Sequence, residues 1–138
     1  MKTKAIFAAL LATAALSFTV AASAHAPGET VAPNFSHAIS NVPGKSLVAV
    51  EVRYPPGAAS RPHTHAKSAF IYAYVVSGAI ESQIAAGTAR IYTAGQSIHE
   101  EPGAPHRISR NASKTAPAKL LAVFVVDTDD APLTTPEK

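Results

Sequence analysis

The sequence predicts an all-β domain of the sandwich or barrel class, on three observations. Residues 46–54, SLVAVEVRY, set Val48, Val50, Val52 and Tyr54 against Ala49, Glu51 and Arg53, the period of two expected of a half-buried strand. Further short segments of similar character follow, each ended by a glycine or proline turn. Beyond the first 24 residues no stretch carries a helical period.

Taken in order, residues 1–24 read as a cleaved signal peptide. Lys2 and Lys4 precede a long uncharged apolar run, and Ala22-Ser23-Ala24 offers the small residues that a signal peptidase requires. The expected location is therefore periplasmic or secreted, with contact to a membrane only through the leader. An uncleaved anchor is the competing reading, weakened by Thr13, Ser17 and Thr19. Residues 25–45, rich in Pro, Ala, Ser and Asn, read as an extended arm with room for one short strand. The barrel is expected over 46–127. Strand candidates in it are PHTH, SAFIYAYVV to Gly78, IESQIA to Gly87, ARIYTAGQ, SIHEE to Pro102-Gly103, HRISRN and LLAVFVV. Residues 128–138 are polar and proline-containing and read as a loose tail.

At 138 residues, 47% hydrophobic and 15% charged, the chain suits one domain with a modest core. Loss of Lys2 and Lys4 with the leader leaves ten basic residues against 9 acidic ones, and the arginines are scattered. No basic stripe remains, so nucleic acid is not an expected partner. The chain has no cysteine, which excludes disulfides, zinc-thiolate sites and thiol chemistry.

The chemistry lies in two turn-rich segments. GAASRPHTH carries His63 and His65 two residues apart, a spacing that on a strand aims both imidazoles at one point. EEPGAPH brings His106 after a second Gly and Pro turn. Three neutral imidazoles suit Mn, Fe, Ni, Cu or Zn and leave coordination positions open.

These segments resemble the two motifs of the cupin superfamily. Its first motif runs Gly, five residues, His-x-His, three or four residues, Glu, six residues, Gly. This sequence has Gly57, His63, His65 and Gly78, but the glutamate slot falls on Ala69, Phe70 or Ile71. The second motif runs Gly, five residues, Pro-x-Gly, two residues, His, three residues, Asn. Here Gly95, Pro102, Gly103, His106 and Asn111 follow it with Pro102 and Asn111 each one place late. The resemblance implies a single-domain jelly-roll β-barrel, with His63, His65 and His106 binding one divalent transition metal inside it.

Glu100 is the candidate for the missing carboxylate. Counting from Gly95, the family's pattern turns Ile98 and Glu100 into the barrel, where a carboxylate is costly unless paired or bound to a cation. It would act as a fourth ligand or as a general base, so it is also the candidate catalytic residue. The competing reading has a bulge at Glu100-Glu101-Pro102 turn it to solvent. Glu101 and His99 are expected to face out, and His37 to lie away from the site. Gln83 is expected to be exposed.

If the vacant slot faces in, so do Ala69, Ile71 and Ala73, leaving an apolar and fairly roomy cavity. Tyr72 and Tyr74 then face out, where aromatic residues often mark a subunit interface, so a homodimer is expected. Phe124 by default belongs to the core. His25 would become the mature N-terminus, a position able to chelate copper, although chance placement is the favoured explanation.

Two functions fit. One is an exported metal-binding cupin acting on a small organic molecule, with dioxygenases, isomerases, hydrolases and decarboxylases as the pool of reactions the resemblance implies. The other is a non-catalytic module holding a small molecule, with a structural metal or none.

Overall fold

The computed structural model describes residues 28–138. The expected leader and His25 lie outside them. Ten strands follow in order: β1 (Thr30–Ala38), β2 (Lys45–Tyr54), β3 (His63–His65), β4 (Phe70–Ser77), β5 (Ala79–Ile84), β6 (Arg90–Thr93), β7 (Ser97–Glu100), β8 (Pro105–Asn111), β9 (Ala118–Asp127) and β10 (Thr134–Pro136). They form two antiparallel five-stranded sheets, ordered β1-β2-β9-β4-β7 and β10-β3-β8-β5-β6. The all-β jelly-roll expectation holds. Among the described residues no helix is long and apolar enough to cross a membrane.

Alternation places the core. On β9, Ala118, Leu120, Ala122, Phe124 and Val126 are buried, and their neighbours on the strand point the other way. Val52 and Tyr54 of β2, Ala73 and Val75 of β4, and Ile80 of β5 meet Leu120 in one apolar cluster. Ile71, Phe124 and Val126 gather in a second with Ala66 and Ala69. Burying these faces against each other drives the two sheets together.

The outer face of the first sheet is also largely apolar. Tyr72 of β4, 45% exposed, stands between Val123 of β9 and His99 of β7, and Phe70 stacks on the His99 ring at 6.1 Å. Tyr74 is exposed beside them, and Phe35 is exposed on β1 opposite Ala49.

Both chain ends depart from expectation. The segment expected as an arm carries a nine-residue strand, β1, paired with β2 from Thr30 opposite Arg53 to Ala38 opposite Ser46. Its side chains are almost all exposed, so it shows no burial period, and it absorbs Pro33 at a register shift on a sheet edge, where proline is tolerated. The tail expected to be loose forms β10, which pairs with β3. Asp130 anchors the approach, accepting hydrogen bonds from the backbone N–H and hydroxyl of Ser68 at 2.9 and 2.8 Å.

Gly78, between β4 and β5, has φ +74, and a Cβ there would lie 2.6 Å from the Pro117 carbonyl oxygen and 2.8 Å from Ala118. Gly57 has a similar φ of +71 but open space around it. Gly57→Ala is expected to cost about 1 kcal/mol through backbone strain alone, and Gly78→Ala at least about twice that, because backbone must also shift. Urea unfolding midpoints of the two variants check the difference.

Candidate metal centre

Strand β3 is three residues long, and its parity sends His63 and His65 to the same side. Across the ladder His63 pairs directly with His106 of β8. The three rings pack with centroids 4.8 Å (His63 to His65), 5.1 Å (His63 to His106) and 6.2 Å (His65 to His106) apart. One nitrogen from each lies within 4.8 Å of the others, a group able to hold a metal ion. A first-row ion about 2.1 Å from each nitrogen needs them roughly 3 to 4 Å apart, so contraction of about an ångström suffices.

Each ring has its other nitrogen tied down. His63 Nδ1–H donates to the Arg61 carbonyl at 2.7 Å. His65 Nδ1–H is shared between the Leu133 carbonyl and Thr134 Oγ1, each at 3.2 Å. His106 Nε2 meets the Ser82 hydroxyl at 3.0 Å. Such tethers set tautomer and ring orientation, leaving Nε2 of His63 and His65 and Nδ1 of His106 for the centre. Ser82 can donate or accept, so it serves either tautomer of His106.

Glu100 closes the group. On β7, Ile98 and Glu100 point inward while His99 and Glu101 are exposed, so no bulge turns the carboxylate to solvent. It is 3% exposed, with Oε1 3.1 Å from His106 Nδ1 and Oε2 3.5 Å from His65 Nε2. Burial pushes its pKa up, but the hydrogen bond from His106 and the surrounding imidazoles outweigh it and hold the carboxyl below its ordinary 4.5. Burial is also the main reason His65 is held below its ordinary value, despite Glu100, so it stays a neutral donor near pH 7. Among the described residues Oε2, which is buried, has no hydrogen-bond partner. A buried, unpartnered carboxylate oxygen 3.5 Å from His65 Nε2, beside a cluster of three imidazoles, fits a cation.

The vacant glutamate slot explains itself through register. Ile71, one of the three candidate slot positions, pairs across the ladder with Glu100. Ala69, Ile71 and Ala73 all face in, as expected. A second irregularity accounts for the late Asn111. Strand β5 pairs Ile84 with His106 but Gln83 with Ile108, so β8 carries one extra residue at Arg107. The bulge returns Ser109 and Asn111 to the inner side with His106. Asn111 is structural: its amide donates to the Tyr54, Pro55 and Ala116 carbonyls and its oxygen accepts from Ser113 N–H.

The cavity in front of the histidines is apolar as expected, with Val50, Val52, Ile71, Leu120 and Phe124 among its walls. It is not roomy, at about 80 Å³. Phe124, in the core, also packs edge-on to His65 at 5.3 Å. His37 is exposed on β1, and Gln83 bonds the Gly87 carbonyl outside the cavity. Ser82, Tyr54, Ser60, Ser109 and Thr134 were not expected at the site. Parity from Ile80 would have found Ser82; the β8 bulge hid Ser109, and the tail's irregular composition hid Thr134.

The family model described as "Cupin domain" matches residues 50–124. No curated protein sequence matches the chain significantly. Among solved structures, a double-stranded β-helix protein from Klebsiella pneumoniae aligns at TM-score 0.61 with 20% identity, over 80% of this chain and 86% of that one. A protein from Thermus thermophilus aligns at TM-score 0.56 with 24% identity, over 72% and 84%. A recombinant oxalate oxidase in complex with glycolate aligns at TM-score 0.55 with 21% identity, over 79% and 55%. At these identities the likeness is one of fold.

The lowered carboxyl of Glu100 sets a pH dependence in metal-free protein. Between its native pKa and its ordinary 4.5 the unfolded chain binds more protons than the native one. The stability it contributes is therefore complete above the ordinary value and is lost as pH falls through the native one. Thermal unfolding against pH, in chelator, is expected to show this acid limb in the parent and a flatter one in Glu100→Gln.

Proposed function

Because the chain belongs to the cupin domain family, we propose that it binds one divalent transition metal through His63, His65, His106 and Glu100 and acts there on a small organic molecule. The observation that carries this reading is Glu100 Oε2, buried without a hydrogen-bond partner 3.5 Å from His65 Nε2. A metal bound there supplies Lewis-acid polarisation of a coordinated oxygen, or a bound water of lowered pKa. The chain's own part is to hold the imidazoles in fixed orientations, to exclude bulk water with apolar walls, and to offer Glu100 as fourth ligand or proton carrier. The solved oxalate oxidase with glycolate supports a small organic acid as the kind of molecule handled on this fold. Dioxygenase, isomerase and decarboxylase are the reaction types the family resemblance implies, and a metal held by these residues would supply the polarisation each of them needs.

Metal analysis of the purified protein tests the centre. About one ion per chain is expected, drawn from Mn, Fe, Ni, Cu or Zn, with none retained in His63→Ala. Glu100→Gln is expected to weaken affinity by about tenfold or more, measured by competition with a chelating dye. A folded preparation that takes up no ion on titration overturns the reading.

Two further features belong to this proposal. The composition of residues 1–24 supports export to the periplasm or medium after cleavage behind Ala24, so N-terminal sequencing of the exported form is expected to begin at His25. The apolar outer face around Phe70, Tyr72, Tyr74 and Phe35 supports a homodimer built on that sheet, since exposed aromatic residues of this density favour a second apolar surface. Light scattering is expected to give twice the chain mass for the parent and a monomer for Tyr72→Glu.

A further inference from the structure

At a second place on the cavity wall three hydroxyls meet. Tyr54 Oη lies 2.7 Å from Ser60 Oγ and 2.8 Å from Ser109 Oγ, and all three residues line the same cavity as the histidines and Glu100. Ser109 and His106 are on the same strand, on the same side of it because of the bulge, and separated by about one pleat repeat, roughly 7 Å. The cluster has three hydroxyl hydrogens and uses two in its internal bonds. Whichever way the bonds run, one O–H is left to donate, and among the described residues no further acceptor meets it. Burial raises the Tyr54 pKa, so its hydroxyl stays protonated and neutral.

The lining of this cavity carries charge of one sign, with Arg61 the cation of the adjoining cavity that shares Glu29, His63 and Thr134 with it. Glu100 and Glu29 line it, and no lysine or arginine among the described residues does. A divalent ion beside Glu100 leaves one positive charge for a ligand to neutralise. A second ligand carboxylate at the hydroxyl end would meet only neutral donors, with Glu29 on the same wall. The volume of about 80 Å³, far below the roughly 300 to 1,000 Å³ of drug-sized pockets, holds a skeleton of a few atoms.

We propose that Tyr54, Ser60 and Ser109 form a second anchor that selects short monocarboxylates carrying a neutral oxygen at the far end, and disfavours dicarboxylates. The carboxylate lies at the metal and the hydroxyl or carbonyl oxygen accepts the spare O–H. This rests on the metal reading above and adds the ligand class to it. The hydroxyl cluster sets specificity by leaving its spare O–H without that acceptor whenever the far oxygen is missing.

Calorimetric titration of metal-loaded protein tests it, with 3-hydroxypropanoate and 4-hydroxybutyrate, their parents propanoate and butyrate, and malonate and succinate. At least one hydroxy acid is expected to bind about tenfold more tightly than both its parent and the diacid of equal length. Tyr54→Phe and Ser109→Ala, each first shown to be folded and metal-loaded, are expected to reduce that preference to about twofold or less. Equal binding of hydroxy acids and parents, tighter binding of diacids, no binding of any of the six, or a preference untouched in both variants overturns the anchor. Failure to load metal is registered before any acid is added, so failure of the underlying reading is seen separately.

Discussion

Everything at this site follows from placing a carboxylate inside an apolar barrel. A charge moved from water into such an interior loses several kcal/mol of solvation unless opposite charge and hydrogen bonds replace it. Glu100 stands among Ile71, Phe124 and other apolar walls, and the polar groups that reach its carboxylate among the described residues are imidazoles. His106 satisfies one oxygen. The other is left to whatever positive charge the three histidines can hold between them, so the arrangement makes chemical sense as an ion site more readily than as a packed core.

That demand propagates outward through the ring tethers. Imidazoles free to rotate would place their lone pairs at random, and the convergence on one point would be lost. The tethers come from separate parts of the chain: the Arg61 carbonyl just ahead of β3, Leu133 and Thr134 at the C-terminal end, and Ser82 on β5. The short β3 gains its rigidity from the same source, because β8 and β10 flank it on both edges. At the other end of the chain, β1 extends β2 and brings Glu29 to the cavity wall. Both termini of the described chain thus reach the cavity wall.

How much of this was legible in the sequence depends on whether period-two burial marks the residue. The alternation of β2, the His-x-His parity and the inward aim of Glu100 counted from Gly95 all obey that rule, and all are found in the structure; the continuous apolar run of β9 showed no period, and its alternating burial appears only in the fold. Strand β1 does not obey it. Its stability comes from backbone pairing to β2 with both faces mostly exposed, so its composition looks like that of a loop. Strand β10 is three polar residues long and exists because β3 offers an open edge. Ser109 was hidden by a change of parity within β8, which no count of spacing can locate in advance. Tyr54 was legible as an inward residue but not as a polar one, since its hydroxyl finds its partners 6 and 55 residues away.

Two of the three departures from the family's pattern have a geometric reading: the barrel fixes points in space, while the chain has some freedom in which residue reaches them. Asn111 stands one place late, and the extra residue at Arg107 restores its inward face, so an insertion in sequence leaves the interior unchanged. The inward carboxylate of this chain stands on β7 beside Ile71, one of the three positions on which the family's glutamate slot falls. Ile71 and Glu100 are ladder partners, and directly opposed side chains on one face of a sheet have Cβ atoms only about 5 Å apart. A glutamate side chain can span that difference, so Glu100 stands within reach of the point that a carboxylate at position 71 would face. Such reach is possible at a ladder pair and would fail one residue along, where parity sends His99 and Tyr72 to the outer face.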